Sequence, residues 1–125
     1  MAEKLIKQAR LILGEFENSN DNKKKEKFLD DALSCLSEVI EKDFPEEKKK
    51  VAKNMMFSYR NYVFEQVDEL IKGPNFIDED IVLEWFSLLN KFDEYGFGND
   101  DEYKKRIINF VVKIRSVIGT GRTID

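Results

Sequence analysis

"DFPEEKKKVAKNMMFSYRNYVFEQVDELIKGPN", Asp43 to Asn75, is the stretch on which the fold turns. It opens with a helix-start signal. Asp43 is placed to cap, Pro45 falls in the first turn where its missing N–H costs nothing, and Glu46 follows three residues after the cap. It closes on Gly73-Pro74-Asn75, which cannot continue a helix. Nothing between them breaks the helix for about 27 residues, near the top of the ordinary range. Its main apolar face gathers Val51, Ala52, Met55, Met56, Tyr59, Tyr62, Val63, Val67 and Leu70. Phe57, Phe64 and Ile71 recur every seven residues on roughly the opposite side. A helix with two apolar faces belongs between neighbours, so this one is expected to be the long central element.

Four more helices emerge when the flanking apolar residues are laid out at about 100° per residue. The first, about 3–17, places Leu5, Ile6, Ala9, Ile12, Leu13 and Phe16 on one face. A polar loop leads into the second, about 24–42, with a single stripe from Phe28 and Leu29 to Val39 and Ile40. The fourth starts at Asp78 as cap, with Ile77 stapling onto Val82, and runs to about Tyr95 before Gly96 stops it. Its stripe of Ile81, Val82, Trp85, Leu88, Leu89 and Phe92 makes the one tryptophan a core residue. The fifth runs from Asn99 as cap to about Ile118, through Tyr103, Ile107, Phe110, Val111 and Ile114, with 119–125 as a flexible tail. The expected fold class is all-α: a single-domain antiparallel bundle of about five helices over residues 1–125, with a long central third helix.

Composition supports one core and long helices. The chain has 125 residues, 42% of them hydrophobic, with only two Pro and six Gly to interrupt it. Its one cysteine, Cys35, cannot form an internal disulfide, and Met1–Lys7 leads straight into a charged amphipathic pattern. A reducing, cytoplasmic setting is expected. No apolar run approaches the roughly 18 residues of a membrane span, so no membrane partner is expected. No second copy of "ALSCLSEVIEKDFP" follows 34 residues on, which argues against a helical-repeat array.

Residue types exclude most catalytic chemistry. With no histidine there is no Ser-His-Asp or Cys-His nucleophile system and none of the usual His-containing metal sites. The acid-rich "FDEYGFGNDDE" departs from a calcium loop because Tyr95 stands where a third ligand is needed counting from Asp93. "GFGNDD" follows a helix and carries acids that would repel phosphate. The clusters "KKKEK" at Lys23–Lys27 and "EEKKK" at Glu46–Lys50 are interleaved with acids in first helical turns and read as solvated faces. A net charge of −4 further disfavours nucleic acid. No catalytic residue, metal site or cofactor is expected.

Charge is unevenly spread. Residues 73–102 hold nine acids and one base, net −8, whereas 103–125 hold six bases and one acid, net +5. Leu83 and Phe86 fall off the main stripe of the fourth helix, and Ile108 and Val112 off that of the fifth. Either these surplus residues pack in an inner layer, or some form an exposed patch rimmed by acids. The expected function is a non-catalytic intracellular protein-binding module, a small acidic inhibitor, immunity-type or adaptor protein that occludes a basic partner surface. Phe57, Phe64, Ile71, Leu83 and Phe86 are its expected apolar contacts, with Glu84, Asp93 and Glu94 as the rim. One alternative is a structural subunit of a homo-oligomer or larger complex; another is a carboxylate-based enzyme or metal-binding protein.

Overall fold

The computed structural model describes the backbone of residues 1–72 and 79–124 and the side chains of 1–70 and 80–115. Five helices lie within them: α1 (Ala2–Asn18), α2 (Asn22–Glu41), α3 (Glu46–Lys72), α4 (Glu79–Glu94) and α5 (Asp101–Ile124). Contacts between alternate helices advance in the same sense. Glu3 pairs with Lys48 at 3.0 Å, and Phe16 meets Tyr62 edge-on further along, so α1 and α3 run parallel. Asn22 reaches Glu84, Glu26 faces Lys91 and Asp30 meets Tyr95, so α2 and α4 run parallel. Arg60 holds Asp100 and Asp68 faces Arg106, which aligns α3 with α5. The three-residue link from α1 to α2 and the four-residue link from α2 to α3 reverse the chain each time. The result is an antiparallel, up-and-down bundle.

α3 is its centre: among the described residues it is the one helix whose backbone approaches all four others. The face carrying Ala52, Met56, Val63 and Val67 is buried, and the core cluster they belong to draws on every helix. The opposite stripe is the seat of α5. Phe64 is fully buried, with Tyr103 at 5.6 Å and Phe110 at 5.7 Å between ring centroids. The expectation that Phe64 lines an exposed patch is therefore corrected: Phe64 belongs to a second interior seam, which α5 covers. Ile71, the third member of that stripe, lies outside the described side chains.

The helix ends refine the sequence reading. Asp21 caps α2 by accepting from the Lys23 N–H at 2.9 Å. The Pro45 carbonyl accepts from the Lys48 and Lys49 N–H groups, so Pro45 rather than Asp43 stands at the start of α3. At α4 the expected stop at Gly96 is present as a Schellman motif: Phe97 N–H donates to the Phe92 carbonyl, Gly96 N–H to that of Asp93, and Gly96 has φ 87°. α5 begins after Asp100 rather than Asn99 and runs to Ile124, past the expected end at Ile118. The expected stop at 73–75, the staple by Ile77 and the cap at Asp78 lie outside the described residues.

Candidate interaction surface

The start of α5 is tied to α3 by a buried arginine. Arg60, 2% exposed, donates from Nη1 to Asp100 Oδ1 at 2.6 Å and to the Phe97 carbonyl at 2.8 Å, and from Nη2 to Asp100 Oδ2 at 3.0 Å. The rings of Phe57, Tyr103 and Phe64 surround the guanidinium carbon at 4.9, 5.5 and 5.9 Å. Asp100 also accepts from the Tyr103 N–H at 3.4 Å, so one carboxylate both caps α5 and neutralises the arginine. Hydrogen bonding from Arg60 holds the Asp100 carboxyl below its ordinary range.

α4 and α5 touch through long side chains while their backbones stay apart; among the described residues no α4 Cα lies within 8 Å of an α5 Cα. Phe86 meets Phe110 edge-on at 6.3 Å, and the Tyr103 hydroxyl donates to the Leu89 carbonyl at 3.0 Å. At about 100° per residue, Ile107 and Val111 stand on the shoulder of α5 between buried Phe110 and an outward pair, Ile108 and Val112. Those two are 61% and 60% exposed, and Leu83 on α4 is 56% exposed. Lys104, Lys105 and Arg115 flank the pair on α5 and are exposed too. α4 has the opposite charge, with five acids and one base, net −4, against six bases and two acids on α5, net +4.

The residues expected to form a partner site fall into separate places. Leu83 and Glu84 are exposed on α4, where Glu84 accepts from the Asn22 side chain. Phe86 is half-buried against Phe110. Phe57, 40% exposed, packs on Phe97 at 5.1 Å at the other end of α4. Asp93 is exposed near that end, and exposed Glu94 pairs with Lys91 at 3.4 Å. Phe64 is core, and the side chain of Ile71 is outside the described set. Among the described residues the surplus stripes thus divide between an inner seam, Phe64 and Phe86, and an exposed remainder, Phe57, Leu83, Ile108 and Val112.

Two buried cations escaped the sequence reading. Lys25, expected on a solvated face, is 6% exposed: its amine donates to the Phe16 carbonyl at 2.8 Å and lies over the Phe16 and Trp85 rings at 4.8 and 5.6 Å. It ties the last turn of α1 to α2 and α4, satisfying a carbonyl that the helix end leaves free. Burial pushes its pKa down. Its signal was position, because Lys25 stands one turn before Leu29 on the buried stripe of α2. Arg60 likewise sits between Phe57 and Phe64 on the second stripe of α3. Tyr95, pushed up to about 12 by burial and by its bond to Asp30, closes the α2–α4 seam. A shallow cleft near it is lined by Ser34, Ser37, Glu38, Glu41, Lys42 and Glu94. Among the described residues no three His, Cys, Asp or Glu side chains are grouped to hold a metal ion, and no helix is long and apolar enough to cross a membrane.

Fold and surface together define an all-α bundle that leaves apolar residues exposed on two oppositely charged helices. No family model, curated protein or solved structure matches the chain.

Proposed function

We propose that this chain is a non-catalytic, cytoplasmic protein-binding module that works by covering a partner's surface through the outward sides of α4 and α5. The observation that carries this reading is the exposure of Leu83, Ile108 and Val112 on helices whose other described large apolar residues are mostly buried or half-buried. Three large aliphatic side chains in water contribute nothing to the bundle's own core, and burying each against a partner is favourable by about 1.5–3 kcal/mol before ordering costs. The acids of α4 favour a basic partner surface there and would speed its approach.

The test is affinity capture from cells that express the chain, comparing wild type with a Leu83→Ser, Ile108→Thr, Val112→Thr variant of equal helix content. A protein retained by the first and lost by the second supports the reading; identical captures defeat it. A second reading, association between copies, has its own support in the opposite charges of the exposed sides of α4 and α5.

A further inference from the structure

Across α3 from the α5 seam lies a second feature, and it does not depend on the reading above. α1 ends at Asn18 and the chain passes through Ser19–Asp21 into α2, while Ser58, Asn61 and Glu65 of α3 stand exposed. Tyr59 and Tyr62 stand on that side of α3, roughly 160–220° round the helix from Phe64. Their rings meet at 6.3 Å with an interplanar angle of 61°, two walls set at an angle rather than stacked. Buried Phe16 meets Tyr62 edge-on at 5.9 Å. The cleft holds about 360 Å³ and is lined by Glu17, Ser58, Tyr59, Asn61, Tyr62 and Glu65.

The lining has a single chemical sense. Among the described residues it contains two carboxylates, two phenol rings, a hydroxyl and an amide, and no basic side chain. Glu17 lines the cleft together with Tyr59, and burial first, then the Glu17 carboxylate, push the Tyr59 phenol pKa up. An aromatic face with a carboxylate next to it is what a cationic side chain needs: the ring quadrupole attracts the charge and the carboxylate pairs with it. Both tyrosines are only partly buried and line the cleft. An apolar ligand would have to strip water from Glu17 and Glu65 without return, and an anion would meet both charges.

We infer that this cleft receives a cationic side chain from a basic protein segment, with the guanidinium of arginine the best fit. A planar guanidinium can lie on one tyrosine face while its N–H groups reach a carboxylate in a two-pronged pair. The site thereby adds a residue-sized anchor on the α1–α3 side of the bundle, opposite the side where α5 docks.

The test is a titration of isotope-labelled protein followed by amide NMR shifts, with N-acetyl-arginine amide as probe and N-acetyl-citrulline amide as its neutral counterpart of the same shape. Saturable shifts at residues 17 and 58–65 with arginine, absent with citrulline, are expected. The Glu17→Gln, Glu65→Gln variant, changed only at exposed positions, should weaken arginine binding about tenfold while leaving the rest of the spectrum in place. Shifts that never saturate, that citrulline reproduces, or that survive unchanged in the variant would overturn the inference. None of these outcomes bears on Leu83, Ile108 or Val112, so the α4–α5 reading is decided separately.

Discussion

Arg60 and Asp100, forty residues apart, form a two-pronged ion pair in which the guanidinium is buried and the carboxylate also caps the helix it begins. The pair fixes where α5 starts relative to the middle of α3. Asp100→Asn keeps one acceptor but removes the charge, leaving a buried cation without its partner. Because the Asp100 side chain is 41% exposed, the cost should resemble that of a hydrogen bond to a charged group, about 1.5–3 kcal/mol, rather than that of a fully buried pair. The acid response gives the sign. Arg60 lowers the Asp100 pKa in the folded chain, so its stabilisation is complete above the unfolded value of about 3.9 and is lost as pH falls through the lower folded value. Urea unfolding should show wild type and variant converging progressively below about pH 4. A gap that stays constant through that window would mean the charge is not what matters.

Phe64 and Phe57 share a stripe in the sequence and part ways in the structure. Phe64→Ala empties a fully buried site between two rings and should cost about 3–5 kcal/mol. Phe57→Ala loses one edge-on contact with Phe97, one ring beside the Arg60 guanidinium and a partly exposed area, for about 1–2 kcal/mol. Thermal unfolding of the two single variants should therefore rank them clearly, with Phe64→Ala melting many degrees lower. Equal midpoints would mean the α3–α5 seam is not packed as described.

That divergence shows what periodicity can and cannot carry. The class of fold, the length of α3 and its central place follow from spacing, because a 3.6-residue period and two terminal stop signals are local properties. Which of two apolar faces is covered depends on where α5 lands, and that depends on Arg60, a charge among aromatics that a hydropathy wheel counts against burial. Lys25 hid for the same reason: its (CH₂)₄ stem follows the buried stripe while its amine finds a free carbonyl that exists only once α1 has ended. The start of α5 was legible to within one residue, at Asn99; that Asp100 both caps it and pairs with Arg60 needed a partner forty residues away.

Lys25 makes a prediction of its own. Lys25→Met keeps a long stem between Phe16 and Trp85 and removes a buried charge, so stability at neutral pH should change by no more than about 1 kcal/mol. Lys25→Ala removes the stem and should cost about 2–4 kcal/mol. Burial lowers the amine pKa in the folded state, so the unfolded chain binds more protons between the folded value and about 10.4. Wild type should accordingly gain stability relative to Lys25→Met as pH rises through that window. Parallel pH profiles for the two would show that the amine is not desolvated by folding.

The turn between α4 and α5 rests on two glycines for different reasons. Gly96 takes a left-handed backbone at φ 87°, where an alanine is strained by about 1–2 kcal/mol. At Gly98 the obstacle is a neighbour: an added Cβ would lie 2.6 and 2.7 Å from Asp93 Cβ and Cγ, so the turn itself must shift. Gly98→Ala should cost about 1–3 kcal/mol, and hydrogen exchange should quicken first at Phe97 and Tyr103, whose positions the turn sets. Unchanged exchange at both amides would show that the turn absorbs the extra carbon freely.

Ile108 and Val112 separate a core role from a surface role most sharply. Both exceed half exposure, so Ile108→Thr, Val112→Thr should unfold within about 0.5 kcal/mol of wild type. If copies of the chain meet by laying the acidic side of α4 on the basic side of α5, sedimentation of wild type should show a dimer that weakens between 50 and 500 mM salt, because the screening length falls from roughly 14 to 4 Å. The double Thr variant should then be monomeric at every salt concentration, since without apolar contact the opposed surface charges contribute little on their own. A wild type that stays monomeric at high concentration and low salt removes the self-association reading and leaves the two residues exposed for a different protein. Loss of stability in the Thr variant would instead place them in the bundle's own packing, and the partner proposal would lose the observation that carries it.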